Sequence, residues 1–328
     1  MPHPATLPLA SPLRRPRVAR TAAVTLLLLL ALAALIICAV VGGLGSEATV
    51  VFLKALTWSS LLAIVPLAIL RFLDRREPES GWLFAAAFLW GGLIATSLAL
   101  PFNTAVLVVV APWLEQNSAL TEMRGPAAAL MIGAPLAAPI VEETTKGIGI
   151  VLLFWLMRSE FDNVRDGFIY GALVGAGFNW FESALYVQQN FAEFGTAPSG
   201  FQLGARYAWL GLAGHAMFSG LFGASLGLAR ATSSSWLRWL APPAGFLLAV
   251  LAHAWNNSLP LFIALASSRG GEAAPTEIEP PPDIGLLETM VSASLSNLVI
   301  FLPFVLLLAW VIRRSGHWER EVIGEELR

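Results

Sequence analysis

The sequence has little charge, and this scarcity limits the class of protein that it encodes. Only 13% of its 328 residues are charged, 56% are hydrophobic, and the mean hydropathy is +0.69. A soluble domain needs more polar surface than this to cover itself. The composition therefore indicates an integral membrane protein.

Cysteine and lysine are also scarce. The single cysteine, Cys38, lies in an apolar run, which excludes a disulfide framework and a cysteine metal site. The net charge is −2 and no basic-aromatic stretch occurs, so we expect no nucleic-acid partner. Of the 20 basic residues only Lys54 and Lys146 are lysines, and this rarity makes a lysine within a membrane span informative.

Apolar runs of about 20 residues, long enough to cross a bilayer, recur along the chain. We predict an all-α protein, a polytopic membrane helical bundle of about eight transmembrane helices in one domain. The segment from Pro101 to Arg124 is semi-apolar, and is either an interfacial or re-entrant helix or a continuation of the third span. The predicted spans are Ala22–Val41, Val50–Leu70, Trp82–Leu100, Pro126–Met157, Gly167–Gln189, Ala205–Ala229, Trp236–Leu265 and Leu286–Ile312.

Positive charge is concentrated on one side of this predicted bundle. With eight spans and a cytoplasmic N-terminus, the inner loops and tails hold 15 basic residues and the outer loops and span ends hold four. This asymmetry predicts an N-in and C-in orientation. Residues 1–20 and 313–328 are then cytoplasmic tails, and residues 266–285 form an external acidic loop. The first run is too long for a signal peptide, so we expect a retained span.

Ionisable groups inside the predicted spans are the residues most informative about function. Each costs roughly 2.5–3.5 kcal/mol at a helix centre on the insertion scale. A helical rise of about 1.5 Å per residue places them at compatible depths near the midplane. Singly, each also fits a packing role, but convergence on four spans predicts a functional cluster. Its polar members are Glu142, Glu143, Lys146, Asn179, Glu182, His215, His253, Asn256 and Asn257.

The order of these residues resembles the PrsW family of bacterial intramembrane proteases. The shared pattern is Glu142-Glu143-x-x-Lys146, then Phe178-x-x-x-Glu182, then His215, then His253 followed closely by asparagine, which is Asn256 or Asn257. The CAAX-processing and bacteriocin-immunity membrane proteases are distantly similar, but use Glu-Glu-x-x-x-Arg and a histidine in the second motif. The resemblance covers residues 82–265. The two spans within residues 21–80 and the last span within residues 286–312 lie outside it.

The resemblance implies an enzyme that hydrolyses a peptide bond of a membrane-anchored protein, with water as the nucleophile. An anti-sigma factor is the implied specific substrate, and the bacterial inner membrane is the implied location. Phe178, Asn179, Asn256 and Asn257 would bind substrate or orient other groups. The catalytic residues carried over from the family are Glu142, Glu143, Lys146, Glu182, His215 and His253.

The sequence leaves the role of metal open. We favour a mechanism without a metal cofactor, because Glu182 stands where the CAAX proteases place a histidine. The alternative is zinc held by His215, His253 and Glu182, with Glu143 as the base. Two other classes of protein also remain: a proton-coupled transporter that uses the cluster as a relay, and a non-catalytic membrane scaffold. The absence of an internal repeat argues against a carrier.

Overall fold

The computed structural model describes residues 11–76, 78, 80–116, 134–267, 280–298, 301–310 and 313. Within these ranges the chain is helical and contains no strand, as predicted. The predicted tails at residues 1–10 and beyond 313 lie outside the described residues. So do residues 268–279, which make up most of the predicted acidic loop.

Two short segments of other helix types lie between described α-helices. A π-helical segment, Trp90–Ala95, joins α3 to α4, and a 3₁₀ turn, Ala208–Gly211, lies between α7 and α8. The α-helices are α1 Pro16–Gly43, α2 Ser46–Leu73, α3 Gly81–Leu89, α4 Thr96–Glu115, α5 Ala134–Leu156, α6 Val164–Phe194, α7 Ser199–Arg206, α8 His215–Ala231, α9 Ser235–Ser267, α10 Leu286–Ser296 and α11 Phe301–Trp310.

Membrane-spanning character is clearest in the helices at the periphery. Among the described residues four stretches are long and apolar enough to cross a bilayer, and α10 with α11 would make a fifth. Apolar side chains such as Leu35 and Leu251 are more than half exposed, as on a lipid-facing surface. The eight-span count and the N-in, C-in orientation remain predictions. The four stretches are Pro16–Gly43, Ser46–Leu73, Gly81–Val106 and Ser235–Ser258.

Helix α6 is the centre of the bundle. The side chain of Asn163 caps its first turn by accepting hydrogen bonds from the backbone N–H groups of Arg165 and Asp166. Its last turn ends at Gly195, which adopts the left-handed conformation with φ 71°. Most of the residues between these two ends are buried, because helices surround α6 on all sides. Groups on α6 are therefore held in one fixed environment.

Glycines allow α6 and α8 to pack backbone to backbone. A Cβ atom added at Gly175 would lie 2.0 Å from the carbonyl oxygen of His215, and one at Gly171 would lie 2.2 Å from that of Ser219. Small residues spaced four apart are a common means of close helix approach in membranes. This approach places His215 and Ser219 directly against α6.

Three of the predicted spans differ from the helices in the structure. The predicted sixth span is broken, since α7 ends at Arg206 and α8 begins only at His215. The predicted eighth span is bent by 68° between α10 and α11. Helix continues beyond Leu100 to Glu115, and the stretch long and apolar enough to cross a bilayer runs from Gly81 to Val106.

Candidate active site

All six side chains predicted to be catalytic meet inside the bundle. Helix α5 contributes two adjacent carboxylates and a lysine, α6 contributes a carboxylate, and α8 and α9 contribute one histidine each. Every one of the six residues is at most 8% exposed. Burying so many ionisable groups is costly unless each is paired. The six are Glu142, Glu143, Lys146, Glu182, His215 and His253.

Both oxygens of the Glu143 carboxylate accept hydrogen bonds from neighbouring side chains. Its Oε1 accepts hydrogen bonds from Lys146 Nζ at 2.6 Å and from His253 Nδ1 at 2.9 Å. Its Oε2 accepts a hydrogen bond from Ser219 Oγ at 3.1 Å. Lys146 lies three residues along the same helix face, so the helical repeat itself brings this ion pair together. Glu143 therefore fixes the orientation of the His253 ring.

The carboxylate of Glu182 holds the second histidine in the same way. Its Oε2 accepts a hydrogen bond from His215 Nε2 at 2.8 Å. The same oxygen forms an ion pair with Arg206 Nη1 at 2.6 Å. A carboxylate behind a histidine fixes the ring and its tautomer, as in the outer shell of many metal sites.

The carboxylate of Glu142 differs from the other two because one of its oxygens is uncommitted. Asn103 Nδ2 donates to its Oε1 at 3.1 Å. Among the described residues its buried Oε2 has no hydrogen-bond partner. His253 Nε2 lies 3.8 Å from this oxygen and His215 Nδ1 lies 4.0 Å from it. Since each histidine donates through its other nitrogen, these two nitrogens carry the lone pairs, and that of His215 Nδ1 accepts from Lys146 Nζ at 2.9 Å.

This convergence fits a metal ion. One ligand atom from each of Glu142, His215 and His253 lies within 4.8 Å of the other two. Two histidines and a carboxylate are a recognised ligand set for catalytic zinc. The unpartnered Glu142 oxygen is the feature that such an ion would satisfy. However, Lys146 Nζ lies 2.9 Å from His215 Nδ1 and would have to give up that contact.

The structure therefore groups a different carboxylate with the histidines than the sequence suggested for zinc. Glu182 was the expected ligand, but its Oε2 faces Arg206 and the far nitrogen of His215. Glu142, rather than Glu182, has an oxygen within 4.8 Å of a nitrogen of each histidine. Adjacent carboxylates on a helix point about 100° apart, so Glu142 and Glu143 face different neighbours.

The four predicted orienting residues divide into two groups. The ring of Phe178 lies against the cluster, 4.2 Å from Lys146 Nζ and 4.9 Å from the His215 ring, measured from the ring centre. Asn179 contacts a neighbour of the cluster and not the cluster itself, since its amide donates to the carbonyl of Arg206 at 3.2 Å. Asn256 donates to Asn257 at 3.4 Å, beside the cluster rather than in it. Of the four, only Phe178 contacts the predicted catalytic groups within the part of the chain that the structure describes.

Three polar residues of the site were missed in the sequence. Asn103 lies in the semi-apolar segment, where one amide among apolar residues was a weak signal. Ser219 lies one helical turn after His215, a spacing that could have indicated it. Arg206 was one of the four basic residues assigned to the outer loops and span ends. Nothing in its local sequence indicates a partner 24 positions away.

Carboxylates and histidines around one buried point in a membrane bundle are the groups that an intramembrane hydrolase needs. The sequence model of the PrsW family of intramembrane metalloproteases matches residues 79–271, which is more than half of the chain. The chain therefore belongs to the PrsW family, as the sequence resemblance indicated. Comparison with curated proteins and with solved structures gave no match.

Proposed function

We propose that this intramembrane protease uses the Glu142, His215 and His253 cluster to hydrolyse a peptide bond of a membrane-anchored protein. The observation that carries the proposal is the buried Glu142 Oε2, which has no hydrogen-bond partner among the described residues and lies 4.0 Å from His215 Nδ1 and 3.8 Å from His253 Nε2. The nearest cation is Lys146 Nζ, 3.9 Å from this oxygen, and a bound metal ion would take its place beside His215 Nδ1. The description of the family as metalloproteases supports zinc in that place, in preference to the metal-free mechanism that the sequence favoured.

The residues of the chain divide into ligands and supports. Glu142 Oε2, His215 Nδ1 and His253 Nε2 would hold the ion. A bound zinc ion supplies a water of pKa about 7 and polarises the scissile carbonyl. Glu143 and Glu182 accept the remaining ring N–H groups, which keeps both lone pairs directed inward. Phe178 covers the ammonium of Lys146 from one side.

Glu143 is the group that we assign to proton transfer. Its Oε2 accepts a single hydrogen bond, from Ser219, and so retains a lone pair. In the proposed step this oxygen receives a proton from the attacking water as the water oxygen bonds to the carbonyl carbon. The proton then passes to the amide nitrogen as the C–N bond breaks. The products are a carboxylic acid and an amine.

The substrate is proposed as a protein with a membrane-spanning segment, because such a segment would reach a site buried in a membrane bundle from within the bilayer. An anti-sigma factor is the specific candidate that the sequence resemblance implies, and the bacterial inner membrane is the corresponding location. The family assignment supports a protease over the transporter and the scaffold. Neither alternative requires a peptide bond to be cut.

The test is cleavage in liposomes that contain the purified protein and a panel of single-span proteins, anti-sigma factors included. We expect defined cleavage products by mass spectrometry, and stoichiometric zinc in the active protein. Removal of zinc by phenanthroline should abolish cleavage, and re-addition should restore it. The variant Glu142→Gln should lose both zinc and cleavage while remaining folded. Full activity in a zinc-free sample would refute the metal assignment, and cleavage by Glu142→Gln at the wild-type rate would refute the site.

A further inference from the structure

Arg206 lies at the end of α7, outside the helices that carry the other ionisable groups of the cluster. Its Nη1 approaches Glu182 Oε2 at 2.6 Å, and the same oxygen accepts a hydrogen bond from His215 Nε2 at 2.8 Å. A continuous path of short contacts thus runs from the arginine through the carboxylate to a proposed metal ligand. The side chain of Arg206 is 20% exposed and that of Glu182 10% exposed.

Several contacts fix Arg206 in this place. Its guanidinium carbon lies 4.1 Å from the centre of the Tyr186 ring, a cation–π geometry. The amide of Asn179, on the same helix as Glu182, donates to the carbonyl of Arg206 at 3.2 Å. Both the side chain and the backbone of Arg206 are therefore attached to α6.

The residues next to Arg206 are attached to helices outside the region that the family model matches. The hydroxyl of Tyr207 donates to the carbonyl of Ser59 on α2 at 2.9 Å. The backbone N–H of Trp209 donates to Ser294 Oγ on α10 at 3.1 Å. Trp209 and Leu210 have φ of 53° and 59°, a left-handed conformation that side chains disfavour and that tertiary contacts must maintain. The position of Arg206 is thus determined by the surrounding fold.

We propose that Arg206 is a positioning residue of the active site, which acts through Glu182 to hold His215 with Nδ1 directed at the metal position. This inference rests on the proposed function. The guanidinium donates to the same Glu182 oxygen that accepts from His215 Nε2, and this ion pair holds the carboxylate in place. Without it the carboxylate could rotate, and the His215 ring would no longer be fixed.

The test compares Arg206→Gln, Arg206→Lys and wild type on the best-cleaved member of the single-span panel. Loss of an outer-shell partner typically lowers metal affinity or activity about 10–100-fold. We expect Arg206→Gln to lower kcat and zinc affinity by that factor without raising KM, and Arg206→Lys to recover part of the loss. Arg238 serves as the matched control, because it is exposed and donates only to a backbone carbonyl, that of Thr232. Arg238→Gln should behave as wild type.

A double variant separates positioning from a general effect on folding. If Arg206 acts only through Glu182, then Arg206→Gln with Glu182→Gln should match Glu182→Gln alone in kcat and zinc affinity. Removing both charges also avoids leaving a carboxylate buried without its partner. Losses that multiply in the double variant, or wild-type kcat in Arg206→Gln, would overturn the positioning role. Wild-type cleavage by Glu142→Gln would instead overturn the proposed function, so the two failures are distinguishable.

Discussion

The two histidines face the same point but are held by different parts of the molecule. His253 lies within the continuous helix α9 and donates to Glu143, whose carboxylate also accepts from Lys146 and Ser219. We call this group of four residues the His253 arm. Glu143 and Lys146 are three residues apart on one helix, and the Phe218 ring stacks on the His253 ring with 4.9 Å between the ring centres.

His215 is the first residue of α8 and follows a break in the helix. Its support passes through Glu182 to Arg206, and we call these three residues the His215 arm. The comparison teaches that equivalent functional groups need not have equivalent support. The His253 arm contains one pair set by local helix geometry, Glu143 and Lys146, whereas every contact of the His215 arm joins residues on different helices.

The largest expected difference between the arms lies in their carboxylates. Glu143→Gln removes the proposed base and should lower the cleavage rate about 10²–10⁴-fold. Glu182→Gln removes only an orienting group and should lower it about 10–100-fold. Single-turnover cleavage in liposomes measures both, with circular dichroism to confirm that the variants are folded. A larger loss in Glu182→Gln than in Glu143→Gln would reverse the assignment of base and support.

The ion pair in the His253 arm should matter for stability as well as for activity. Lys146 is fully buried, and its replacement by Met would leave Glu143 and Glu142 without their neighbouring cation. Breaking a buried pair in this way costs about 3–5 kcal/mol. We expect Lys146→Met to unfold at lower denaturant concentration and to lose cleavage. Lys54→Met, at an exposed position on α2, is the matched control. Equal stability of the two variants would show that Lys146 is not needed to neutralise the carboxylates.

A change in the helix packing around the His215 arm should have the smallest effect of the three changes. A Cβ at Gly175 would lie 2.0 Å from the backbone oxygen of His215, so α6 and α8 would have to separate. Overpacking of this kind typically costs about 1–3 kcal/mol. Gly175→Ala should therefore lower the unfolding free energy and displace His215, which reduces cleavage. Gly42, a helical glycine with nothing within 4 Å, provides the control Gly42→Ala. If Gly175→Ala behaved like this control, the close approach would not position His215.

The sequence alone determined the class of structure and most members of the cluster. Helical spans follow from local apolar composition, which needs no knowledge of neighbours. The ion pair between Glu143 and Lys146 follows from spacing along one helix. The family followed from the order of the motif residues, and the family match over residues 79–271 confirmed it.

Only the tertiary structure decided which carboxylate is free and what holds the second histidine. The rotation of α5 against α8 and α9 places Glu142 Oε2, rather than Glu182, close to both His215 Nδ1 and His253 Nε2. The break before His215 depends on Ser294, 85 positions away from the strained turn at Trp209. Arg206 reaches Glu182 only because α7 is docked on α6. Local sequence encodes a helix, but the rotation and contacts of that helix are set by packing among distant segments.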